Sequence, residues 1–293
     1  MPIASVVSGN YKKNKEMNET VVVIIGNGFD LNLDLPTSYS DFIESEEFLS
    51  LVTGGNYFAK HIVMKKELQN WIDIENELKI YSNRTSYETE SGNNFEMDFN
   101  SLKIALCNYL QKLQYDKINK GKRAFLMLEF IKQQSNYIIL NFNYTNTIDS
   151  ILRTFGLGDK EINERVVNVH GSVIEDNIII GVEDGAQIKK EHIFLRKGYN
   201  KDYKGIDIAT ILQKAKRVFI IGHSLGETDH TYFKNWFSTI SLPGIKKNNE
   251  IIITHYRDKG YKELLTQIDY LTMNNLSSLK MNNKFELIDI ENE

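Results

Sequence analysis

Short apolar, mostly β-branched runs recur at 20–25, 137–141, 166–170, 177–182, 217–222, 250–255 and 284–290, and longer stretches with helical spacing lie between them. That alternation predicts an α/β fold, Rossmann-like, with a largely parallel sheet and helices on its faces. Continuous runs such as Tyr137-Ile-Ile-Leu140 offer no polar face to water, so they predict central strands.

Between about 38 and 135 the strand pattern lapses and helical patterns replace it, which predicts a helical insertion in the α/β frame. Leu102, Leu106, Leu110 and Leu113 recur at intervals of three and four, one stripe of a helix facing a core. A second packed helix is predicted by Tyr261, Leu264, Leu265, Ile268 and Leu271. The polar stretch Ser82–Asn94 predicts an exposed loop within the helical region. Residues 1–19 carry three lysines and little apolar surface, so they read as a flexible tail ahead of a single domain over 20–293.

Apolar residues at 41% and charged residues at 25% are ordinary globular values, and a net charge of −4 gives no broad cationic surface for a polyanion. Nucleic acid is therefore not an expected partner. Cys107 is the single cysteine, which precludes an internal disulfide and a cysteine-built zinc site and fits a reducing compartment. No apolar run approaches the roughly 20 residues that cross a bilayer, and 1–19 lacks the core of a signal peptide. The expectation is a soluble, cytoplasmic protein with no membrane partner.

Four predicted strands end in residues able to do chemistry. Val21-Val-Val-Ile-Ile25 runs straight into Gly26-Asn-Gly28, a turn that fits either a phosphate held by helix-start amides or a tight structural bend. Position 31 is Leu, so the third glycine of the dinucleotide fingerprint is missing. Tyr137–Leu140 leads to Asn141 and Asn143, at the strand end where ligands of open α/β sheets bind, although asparagine also caps helices. Val166-Val-Asn-Val-His170 delivers an imidazole followed by Gly171 and Ser172, a base or a hydrogen-bonded core histidine. Val218-Phe-Ile-Ile221 leads into Gly222-His-Ser-Leu-Gly226 and on to Asp229, a site or a turn at a helix start. Four such ends at one edge of a sheet make a pocket, and its predicted content is a nucleotide.

Gly26-Asn-Gly-Phe-Asp-Leu-Asn-Leu-Asp-Leu-Pro-Thr-Ser-Tyr-Ser-Asp-Phe42, Trp71-Ile-Asp-Ile-Glu75, Asn141-Phe-Asn-Tyr-Thr-Asn146, His170-Gly-Ser172 and Gly222-His-Ser-Leu225 resemble the AbiH family of bacterial abortive-infection proteins, over about 20–260. More distantly the order resembles the sirtuin core, in which such segments surround NAD. The resemblance implies a sirtuin-like NAD-binding domain in which Gly26, Asn27, Gly28, Phe29 and Asp30 attend the phosphates, with Asn143 orienting the ribose or a water and His170 the base. Ser172, Gly222, His223, Ser224, Leu225 and Asp229 complete the implied pocket, with Gly222, Ser224 and Leu225 toward the adenosine half. Trp71, Asp73 and Glu75 receive no site role. In sirtuin deacetylases a four-cysteine zinc module follows the His-Gly segment, whereas Val173-Ile-Glu-Asp176 follows here. The implied activity is therefore NAD glycohydrolysis in antiphage defence, with NAD as substrate and no metal. The implied partners are NAD, a further copy of the chain or a partner defence protein, and a phage-derived trigger.

Two other readings remain open on the sequence. Gly222-His-Ser-Leu-Gly226 matches the Gly-x-Ser-x-Gly elbow of α/β serine hydrolases with Ser224 as nucleophile, although His255 precedes Asp258, the reverse of that family's order. The pocket could also serve as a non-catalytic nucleotide-sensing module.

Overall fold

The computed structural model describes residues 20–65, 71–84 and 95–291, so the predicted tail 1–19 lies outside the described residues. Six parallel strands, β1 (Thr20–Ile25), β2 (Tyr137–Asn141), β3 (Val166–Asn168), β4 (Ala215–Ile221), β5 (Glu250–His255) and β6 (Lys284–Asp289), form one sheet in the order β3-β2-β1-β4-β5-β6. This is the Rossmann-like α/β architecture. The strand order reverses direction between β1 and β4, the switch point outside which doubly wound sheets hold ligands.

Alternation within β1 explains the two helical layers. Val21, Val23 and Ile25 face one core together with α1 (Asn27–Asn32), while Val22 and Ile24 face the other. Each such fully buried side chain contributes about 1.5–3 kcal/mol. The insert supplies α2 (Tyr39–Ile43), α3 (Glu46–Thr53), α4 (Tyr57–Val63), α5 (Trp71–Ser82) and α6 (Phe95–Gln111), which share a third core. After it, α7 (Arg123–Lys132) returns to the sheet, packing Phe125, Leu128 and Ile131 beneath β1 and β2. The first face is completed by α8 (Thr147–Thr154) and α9 (Asp159–Arg165). The second face is covered by α10 (Ile208–Lys214), α11 (His230–Ile240), α12 (Arg257–Leu271) and α13 (Leu276–Asn282).

The leucine stripe holds: Leu102, Leu106 and Leu110 are buried on α6, and Leu113 packs against the same core just beyond its end. Leu264, Ile268 and Leu271 likewise bury one face of α12. The predicted strand at 177–182 is not one. Ile178, Ile180 and Val182 point into the third core, and the segment's ladder is limited to a Val182–Arg196 bridge. Burial against the insert thus creates a strand-like pattern without a strand partner. The expected loop at Ser82–Asn94 also begins differently, because Ser82 is fully buried with its Oγ 2.9 Å from His192 Nδ1; residues 85–94 lie outside the described residues.

Candidate active site at the sheet switch point

The two glycine turns at the switch point rest on each other. Gly26 N–H donates to Ile221 O at 3.1 Å and Gly28 N–H to Gly222 O at 2.8 Å. A Cβ on Gly222, whose φ is +67°, would lie 2.0 Å from Phe29 N, and one on Gly28 would lie 2.9 Å from Gly222 Cα. Glycine is required here by the close approach of two backbones. Gly28 N–H is thereby spent, and Phe29 N–H donates to Gly26 O at 2.9 Å. Of the first three amides of α1, that of Asn27 has no such backbone partner among the described residues. Asn27 Nδ2 donates to Thr37 O at 2.9 Å, tying this turn to the Pro36-Thr-Ser38 segment, where Ser38 caps α2.

Beyond β2, the Asn143 amide donates to Asn141 Oδ1 at 3.1 Å, and Asn143 Nδ2 donates to Gly26 O at 3.1 Å. Asn143 is therefore not a helix cap; the N-cap position of α8 is Asn146. Thr145 Oγ1 donates to Asp30 Oδ2 at 2.5 Å, beneath the turn. Burial pushes the Asp30 carboxyl up to about 6 against the opposing hydrogen bonds of Thr145, Thr147 and Asn143.

Across the cleft, one carboxylate gathers three nitrogens from separate segments. Asp229 Oδ2 lies 3.4 Å from His223 Nε2, and Oδ1 lies 3.5 Å from both His170 Nε2 and Lys197 Nζ. Leu225 N–H donates to His223 Nδ1 at 3.0 Å, which puts the proton of that ring on Nε2, facing Asp229. Lys197 Nζ also lies 2.9 Å from Glu75 Oε1 on α5, a buried ion pair. Burial opposes ionisation of Asp229, but Lys197 and the two imidazoles outweigh it and hold the carboxyl well below the usual range. Burial likewise disfavours the Lys197 ammonium, yet Glu75 and Asp229 overcome it and hold the lysine charged. Glu75 is raised by burial, partly offset by Lys197. Burial first, then the Lys197 charge, drives His170 down to about 3, so its imidazole is neutral at physiological pH.

The family model described as bacteriophage abortive infection AbiH matches residues 22–250. The chain belongs to the AbiH family. No curated protein matches it. The match spans every residue of the Asp229 cluster, and the family description links the chain to antiphage abortive infection.

In this AbiH-family chain a cleft of about 1510 Å³ is lined by Gly26, Asn27, Gly28, Asn143, His170, Gly222, His223, Ser224 and Asp229 among the expected residues. Four others do not line it. Phe29 and Leu225 are fully buried in the two sheet cores, and Asp30, on α1, is fully buried as well. Ser172 is buried in its own turn, its amide donating to Asn177 Oδ1 and its Oγ accepting from Glu175 N–H. Glu75 and Lys197 line the cleft although neither was assigned to it from the sequence. Glu75 carried a signal as the last residue of the Trp71–Glu75 motif, whereas Lys197 carried none.

The serine hydrolase geometry is not assembled among the described residues. Ser224 is exposed and makes no hydrogen bond, and both ring nitrogens of His223 are engaged elsewhere. His255 Nδ1 faces Arg257 O at 3.2 Å. Positive φ values fall on Gly222 and Leu225, not on the serine that a nucleophile elbow strains. Among the described residues, no helix is long and apolar enough to cross a membrane, and no group of three or more His, Cys, Asp or Glu is disposed to hold a metal ion.

Proposed function

We propose that this chain is an antiphage abortive-infection effector that binds NAD in the switch-point cleft and hydrolyses it to ADP-ribose and nicotinamide. The observation that carries the reading is the convergence of Asn143, His170 and Asp229 on one cleft at the carboxyl edge of the sheet, beside the paired glycine turns. Its volume, about 1510 Å³, exceeds the roughly 300–1,000 Å³ of ordinary small-molecule pockets and suits a dinucleotide.

The chemistry asks little of an acid. The bond between ribose C1′ and the pyridinium nitrogen breaks with its electron pair going to nitrogen, so nicotinamide leaves neutral. What remains is a sugar cation, which an ionised Asp229 and the fixed dipole of Asn143 stabilise electrostatically. Water adds through oxygen to C1′ and becomes strongly acidic as it does so, so even a weakly basic imidazole accepts its proton. Neutral His170 suits that task, worth roughly 10²–10⁴ in rate. The proton then passes to solvent.

The test is direct: purified protein is incubated with NAD, in the presence of its trigger if it is latent, and nicotinamide and ADP-ribose are quantified. Stoichiometric appearance of both is expected. Complete retention of NAD by the triggered protein would defeat the reading.

A further inference from the structure

Two polar atoms in the cleft have no hydrogen-bond partner among the described residues, His170 Nε2 and Asp229 Oδ1, and beside them Lys197 Nζ, which carries three donors, has a close contact only to Glu75 Oε1, at 2.9 Å. His170 and Lys197 are each 5% exposed, so bulk water does not readily satisfy them. Asp229 Oδ1 is 3.5 Å from each nitrogen, beyond the roughly 2.7–3.2 Å of a direct N–H···O bond. Two atoms at that separation can, however, both meet a single oxygen at about 2.8 Å.

The chemistry of the donors selects that oxygen. The Lys197 ammonium only donates and the Asp229 carboxylate only accepts, so an atom between them must accept from one and donate to the other. A hydroxyl or a water does both. A carbonyl has no proton for Asp229, and a phosphate oxygen would face the negative charge of Asp229 without a proton to share. Neutral His170 adds one further bond through Nε2, as donor or acceptor according to its tautomer.

We propose that His170, Lys197 and Asp229 form a receptor for one hydroxyl oxygen, either a water or a sugar hydroxyl, with Lys197 held in it by Glu75 of α5. The helical insert and the irregular segment after Val182 are then parts of the site, each contributing one member of the Glu75–Lys197 pair. The receptor stands on geometry alone; its role as holder of the incoming water or of a ribose hydroxyl rests on the NAD reading above.

Two measurements test it. A crystal structure of the ligand-free protein, at a resolution that orders water, is expected to show one oxygen within about 3.2 Å of both Lys197 Nζ and Asp229 Oδ1. Direct contraction of these atoms onto each other, with no such oxygen, would overturn the receptor whether or not the protein cleaves NAD. The second measurement compares the parent with Lys197→Met for ADP-ribose and ADP affinity by calorimetry and for NAD turnover. If the oxygen is a sugar hydroxyl, ADP-ribose affinity falls about tenfold or more while ADP affinity holds. If it is the attacking water, both affinities hold and kcat falls about tenfold or more with KM unchanged. A folded variant that matches the parent in all three overturns the proposal. A parent that neither binds nor cleaves NAD defeats the functional reading, and the crystallographic arm then decides the receptor by itself, as it does should Lys197→Met fail to fold.

Discussion

Glu75 Oε1 lies 2.9 Å from Lys197 Nζ, a buried ion pair that joins α5 of the insert to the irregular segment after Val182. Removing one partner leaves the buried Lys197 ammonium only Asp229, at 3.5 Å, so Glu75→Ala is expected to cost about 1–3 kcal/mol. Urea unfolding measures it. A loss below about 1 kcal/mol, typical of exposed pairs, would show that the pair is hydrated in solution.

Gly222→Ala should destabilise far more than Gly156→Ala. Both glycines have positive φ, +67° and +86°, so both substitutions incur left-handed strain of about 1–2 kcal/mol. Gly222 alone adds a collision, its Cβ falling 2.0 Å from Phe29 N, whereas nothing lies within 4 Å of a Cβ on Gly156. Equal melting temperatures for the two variants would contradict the close approach of the glycine turns.

Asp30 makes stability depend on pH. Its folded pKa, about 6, is raised by burial from an ordinary 3.8, so the native state binds the proton more tightly than the unfolded chain. Below about 3.8 both states are protonated and the group costs nothing; as pH rises to about 6 the unfolded state ionises first and stability falls. The full effect is about 3 kcal/mol at 1.36 kcal/mol per pKa unit. Asp30→Asn should remove that part of the slope, read as the difference between the two proteins' stability curves over pH 4–7. Parallel curves would show that Asp30 is not perturbed by burial.

The central strands are legible in the sequence because both faces of β1, β4 and β5 are covered, and double burial writes a continuous apolar run. The run at 177–182 looks similar for another reason: Ile178, Ile180 and Val182 bury themselves against the insert from an irregular backbone. Asn143, His170 and Asp229 could be found because the sheet's polarity sends strand ends to one edge. Phe29 and Leu225 belong to the site that the sirtuin resemblance implies, but their side chains turn into the cores. Lys197 was invisible, since a lysine in an irregular segment reads as solvated until Glu75 and Asp229 are brought beside it by tertiary packing.

Ser224 should not react as an activated nucleophile. It is exposed at the cleft, but no imidazole is hydrogen-bonded to its hydroxyl, so nothing removes its proton. Serine-directed fluorophosphonates are expected to leave the protein unlabelled by mass spectrometry. Stoichiometric adduct formation at Ser224 would reinstate a hydrolase.

Asn143 and His170 are expected to act on one transition state from the carboxyl ends of the adjacent parallel strands β2 and β3. Asn143 is fixed by its bond to Gly26 O, and His170 faces Asp229 at 3.5 Å, so neither substitution should simply loosen a mobile side chain. Asn143→Ala removes an oriented dipole and His170→Ala removes a proton acceptor, and each should lower NAD turnover at least about a hundredfold. Because both losses fall on the same step, the double variant should be scarcely slower than either single one. With the His170 pKa near 3, the parent's rate should also show no inflection from this imidazole near 6.5, where an unperturbed histidine titrates. Single-turnover kinetics on all four proteins across pH 5–8 provide the measurement. Folded variants that cleave NAD at the parent rate would reduce Asn143 to a tie between two turns and His170 to a packed core histidine.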